Sequence, residues 1–73
     1  MTKKELTKQA KALIRSEMAK ADVNYIQLQA MMVDKGYAYS VEALRIKVSR
    51  GSYDVRFLLA FADTLGFNVE LRS

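Results

Sequence analysis

Three glycines and no proline punctuate this 73-residue chain, and that spacing constrains its fold more than any other feature. Gly36, Gly51 and Gly66 each follow an apolar-periodic segment, where the end of a helix favours a residue in the left-handed conformation. The blocks between them contain no other strong breaker. The chain therefore reads as one all-α domain over 1–73, with four helices over about 3–21, 25–35, 41–50 and 54–65.

Start signals agree with the stops. Thr2 with Glu5, and Asn24 with Gln27, have the spacing of capping boxes, while Ser40 and Asp54 read as the N-caps of the third and fourth helices. In the first helix Leu6, Ala10, Leu13, Ile14, Met18 and Ala21 form an apolar stripe. Lys4, Lys8, Lys11 and Arg15 form a basic row on another face, which is either solvated or meets phosphate. The second helix directs Ile26, Leu28, Met31 and Met32 inward. In the third, Val41, Leu44 and Val48 share one face; Ala43, Ile46, Lys47 and Arg50 share the opposite one, with Glu42, Arg45 and Ser49 to the sides.

The core stripe of the fourth helix is Leu58, Phe61, Ala62 and Leu65. Val55, Phe57 and Leu59 broaden it beyond what one neighbouring helix would cover. After Gly66 the period changes. Phe67, Val69 and Leu71 alternate with Asn68, Glu70 and Arg72, the pattern of a half-buried strand. A short strand-like tail over 67–73 either pairs with its copy in a second subunit or lies over the core.

Composition removes whole classes of chemistry. Without cysteine or histidine there are no disulfides, no thiolate metal sites and no Ser-His or Cys-His catalytic pairs. The carboxylates are scattered and no glycine-rich loop could cradle phosphate, so neither an enzyme nor a metal or cofactor site is expected. No apolar run approaches the roughly 18 to 20 residues needed to cross a bilayer. The basic N-terminus leads into mixed polar helix rather than an apolar signal core, and the expected location is cytoplasmic. A core this small is marginal alone, so a homodimer is expected, with Phe57, Leu59, Phe67, Val69 and Leu71 at its interface. Twelve basic against eight acidic residues give a net charge of +4, which favours a polyanionic partner.

The string from Leu13 to Leu65 resembles the lambda-repressor-like (Cro/Xre type) helix-turn-helix domain. The likeness runs through Met18, Tyr25-Ile26-Gln27-Leu28, Leu44-Arg45-Ile46-Lys47-Val48-Ser49-Arg50-Gly51 and Leu65-Gly66. More closely, the chain resembles a bacterial family of uncharacterised short domains of this fold, in which a helix ending L-R-x-K-[IV]-S-R-G is typical. The resemblance implies that Asn24 to about Val33 is the first helix of the motif and Val41 to Arg50 the recognition helix. Gly51-Ser52-Tyr53 would then be the loop beside the DNA backbone. Two departures bear on how the third helix is tilted. Gln29 stands where that family has alanine, and the connector holding Gly36 is about three residues longer than the usual turn.

On this reading Arg45, Lys47 and Arg50 offer donors to the O6 and N7 acceptors of guanine. Ile46 either meets a thymine methyl group or is partly covered between helices, and Glu42 serves the helix dipole. Asn24, Gln27, Ser40, Ser49, Ser52 and Tyr53 are the expected backbone contacts, through helix starts and small polar groups. Tyr37 and Tyr39 either bond at the DNA backbone or cover the core. The expected partner is double-stranded DNA, bound by a small sequence-specific transcriptional regulator. The alternative is a protein-interaction module, an antitoxin or phage-type inhibitor, on the same scaffold.

Overall fold

The computed structural model describes residues 1–69. It contains four helices, α1 (Lys3–Ala21), α2 (Tyr25–Asp34), α3 (Val41–Arg50) and α4 (Val55–Leu65), and no strand among the described residues. Two expected helices shorten by one residue because Lys35 and Asp54 are themselves the caps.

Local hydrogen bonds explain the starts. Asn24 Oδ1 accepts from the Gln27 N–H at 2.8 Å, and Gln27 Oε1 accepts from the Asn24 N–H at 2.9 Å, which completes one capping box. The Thr2 hydroxyl accepts from the Glu5 N–H at 3.2 Å and donates to the Glu5 carboxylate at 3.1 Å. That carboxylate thus closes on the hydroxyl rather than on the Thr2 backbone. Ser40 and Asp54 accept from the N–H groups of Ala43 and Phe57 at 3.0 and 2.9 Å.

The stops are equally local. Gly36 has φ +95° and ends α2 in a Schellman turn, with the Tyr37 N–H on the Met32 carbonyl at 2.8 Å and the Gly36 N–H on Val33 at 2.9 Å. The end of α1 uses no glycine: Asp22 itself adopts φ +54°, and the Val23 N–H reaches the Met18 carbonyl at 3.1 Å. A short polar side chain tolerates that conformation better than most, but nothing in the apolar pattern announces it.

Ile14 and Met18 of α1, Leu28 and Met32 of α2, Leu44 and Val48 of α3, and Phe57, Ala60 and Phe61 of α4 form one buried cluster. Both α3 and α4 pack against α1 and against α2, so α3 is supported from behind by two helices. The covered side of α1 runs through Thr7, Lys11, Ile14 and Met18, which leaves Leu6 and Leu13 on an exposed flank. Ile26 and Met31, expected inward, are exposed as well.

Phe57, expected at a subunit interface, is wholly buried within the protomer and lies 5.4 Å from the Tyr39 and Tyr53 rings. Phe67, another expected interface residue, sets its ring edge-on against Phe61 at 5.7 Å, and its N–H bonds the Ala62 carbonyl at 3.1 Å. The start of the tail therefore folds back on its own core. Residues 67–69 take no regular structure, with Val69 half-buried; the rest of the expected strand, Leu71 included, lies outside the described residues.

Candidate nucleic-acid interface

Burying Leu44 and Val48 turns Glu42, Arg45, Ile46, Ser49 and Arg50 outward, and all five are exposed. This outer face of α3 offers two guanidinium groups, a hydroxyl, a carboxylate and one branched apolar side chain. Arg45 is steadied at its edge, with the guanidinium carbon 5.8 Å from the centre of the Tyr25 ring at the start of α2. Beside it, Ile26, Val41, Glu42 and Arg45 line a shallow groove between the beginnings of α2 and α3.

Lys47 does not join this face. Its ammonium lies 5.6 Å from the ring centres of both Tyr39 and Phe57, so the expected base-reading side chain is folded back over the aromatic cluster. A helical wheel gives the direction of the Cα–Cβ bond, whereas a four-carbon stem can return its charge to a ring. Glu42 and Ser49 take the place of Lys47 among the outward groups.

The expected phosphate contacts divide into two sets. Ser49 and Ser52 are exposed, and so are Asn24, Gln27 and Ser40, although the oxygens of these three already serve as caps. Tyr53 belongs elsewhere. Its hydroxyl donates to the Ala10 carbonyl of α1 at 2.7 Å, and burial pushes the phenol above its ordinary pKa. Tyr53 is a strut between the α3–α4 loop and α1, not a group held out to a ligand.

Gly51 secures the same junction. At φ +63° it packs so closely that a Cβ would stand 2.7 Å from the Thr7 carbonyl oxygen and 3.0 Å from Lys11 Cγ. The connector between α2 and α3 is anchored too. The Tyr37 hydroxyl donates to Asp63 of α4 at 2.7 Å, and Tyr39 meets Phe57 edge-on. The length of this connector is thus taken up by two tyrosines that fix it to α4, and both pack on the core.

A second surface continues from the Gly51 junction. Lys3, Lys4, Thr7, Lys8 and Lys11 line an open groove along the first half of α1. Among the described residues the ion pairs are Lys20 with Glu17 at 3.2 Å and Arg56 with Asp54 at 3.6 Å, so neither these lysines nor Arg45 and Arg50 have a carboxylate partner there. The i, i+4, i+7 row of Lys4, Lys8 and Lys11 was already visible in the sequence; its continuity with the end of α3 was not. No cluster of metal-ligating side chains occurs among the described residues, and no described helix is long and apolar enough to cross a membrane.

A family model described as a domain of unknown function (DUF6471) matches residues 6–69. No curated protein and no solved structure matches the chain.

Proposed function

The chain belongs to the DUF6471 family of domains of unknown function, and from its own surface chemistry we propose that it is a sequence-specific DNA-binding protein, a small transcriptional regulator acting as a homodimer. The observation that carries this reading is the outer face of α3, where Arg45, Ile46, Ser49 and Arg50 stand exposed on a helix whose inner face is locked into the core. In this reading α2 and α3 form a helix-turn-helix unit of the lambda-repressor-like kind and α3 enters the major groove. Arg45 and Arg50 reach guanine O6 and N7, and Ile46 meets a thymine methyl. Ser49 and Ser52, with the starts of α2 and α3, meet phosphates. Leu59 and Val55, one turn apart on α4 and about half exposed, supply the apolar face for the dimer that Phe57 cannot.

The test is enrichment of bound sequences from a pool of random duplexes, run beside Arg45→Ala and Arg50→Ala variants. One enriched sequence is expected, with two symmetric half-sites as a dimer requires. Each variant relaxes preference at particular positions, corresponding to roughly 1–3 kcal/mol per lost bidentate pair. No enrichment and no retention of duplex even at low salt would sink the reading.

One observation favours a second reading. Asp34 is the only charged residue of α2, while Ile26 and Val33 are exposed on it at 64% and 49%. A helix face so apolar suits a protein partner, as in an interaction module of the antitoxin or phage-inhibitor type. Retention of a protein by a variant-sensitive α2, without duplex enrichment, is its signature.

A further inference from the structure

We infer that the lysine groove of α1 is a second contact surface for the same DNA, gripping the phosphate backbone beyond the end of α3. This rests on the DNA-binding reading above and adds a place that the expected helix-turn-helix contacts do not include. Three observations carry it.

The first is position. Gly51 follows Arg50 directly and is packed onto Thr7 and Lys11, so the outward end of α3 and the lysine groove meet at one junction. Tyr53, two residues on, fixes that junction to α1 through the Ala10 carbonyl.

The second is electrostatic. Lys4, Lys8 and Lys11 lie three and four residues apart on one helix, where like charges repel. Among the described residues no carboxylate forms an ion pair with them, since Glu5 closes on Thr2 and Glu17 pairs with Lys20. A partner with negative charge at the same spacing answers that repulsion.

The third is dimension. From Lys4 to Lys11 the helix axis advances roughly 10 Å, and each strand of duplex DNA carries a phosphate about every 3.4 Å along its axis. Successive phosphates of one strand wind around that axis and stand farther apart through space than this rise, so the row spans about two or three of them within reach of the lysine stems. Thr7, between the lysines, adds a hydroxyl, though its oxygen already donates to the Lys3 carbonyl at 3.0 Å.

The test compares the wild type with the combined variant Lys4→Gln, Lys8→Gln, Lys11→Gln on a labelled random-sequence duplex across a potassium chloride series. Glutamine is as good a helix former as lysine, so the fold is kept, which a circular-dichroism melt checks. A second variant, Lys20→Gln, Lys35→Gln, Arg56→Gln, removes the same charge away from the groove. The expected result is a salt slope lowered by roughly 2 to 3 in the groove variant, at about 0.9 per lost phosphate contact, with affinity weakened at least about tenfold. The charge-matched variant keeps most of the wild-type slope. An unchanged slope in the groove variant, or an equal loss in both, overturns the inference while leaving the DNA-binding reading intact. A wild type that binds no duplex overturns both.

Discussion

A Cβ on Gly51 would come within 2.7 Å of the Thr7 carbonyl oxygen and 2.9 Å of Thr7 Cγ2, while the same atom on Gly36 or Gly66 would meet nothing within 4 Å. All three glycines have positive φ, so alanine at any of them costs about 1 kcal/mol or somewhat more in backbone strain. Gly51→Ala adds a collision with helix backbone, which cannot swing aside as a side chain does. The expected cost is about 2–4 kcal/mol in total, against about 1 kcal/mol for Gly36→Ala or Gly66→Ala. Denaturant melts of the three variants decide it, and equal losses would show that α1 yields at Thr7. In the sequence these glycines look alike, because each follows an apolar segment; what distinguishes Gly51 is a contact between residues 44 positions apart. Lys47 illustrates the same limit. Its backbone direction was legible, but the two rings that draw its ammonium inward come from a connector and from α4.

Each of the four helices begins at a polar cap that accepts an N–H three residues on, and these bonds were legible because they are local. Asp54 is the one ionisable N-cap among them. The Phe57 N–H bond holds its carboxyl below the usual range against the opposing effect of burial, with smaller help from the charges of Arg56 and Lys47. A depressed folded-state pKa means that its contribution to stability is present above the ordinary carboxylate pKa and disappears as pH falls through the depressed value. An asparagine at this cap would keep the accepting oxygen without the charge. Asp54→Asn is therefore expected to lose less stability than the wild type as pH falls through and below the ordinary carboxylate range, as read from thermal midpoints. An identical acid profile would show that the Asp54 charge adds nothing to stability. Helix faces were less legible than helix ends. Periodicity found apolar stripes on α1 and α2, but Leu6 and Leu13 of the first and Ile26 of the second are exposed because few helices are available to cover them in so small a protein.

Half of the twelve basic residues lie in α1, and two more, Arg45 and Arg50, lie on the outer face of α3, which meets α1 at Gly51. The lysines of the groove and the two arginines of α3 thus lie on surfaces that adjoin at Gly51, which the net charge of +4 states only as a total. The exposed apolar positions of α2 and α4 occupy other helices. The all-helical architecture was available from the glycines and caps, but the joining of α3 to the lysine groove depends on tertiary packing. The central claim is that this joined surface binds duplex DNA. Its most direct measurement is the change in backbone amide chemical shifts of isotope-labelled protein as a duplex is added at low salt. Perturbations are expected to concentrate at Arg45, Ile46, Ser49 and Arg50 and along Lys4 to Lys11, with the Ala30 to Val33 part of α2 undisturbed. An absence of perturbation, or one confined to α2, would contradict the claim.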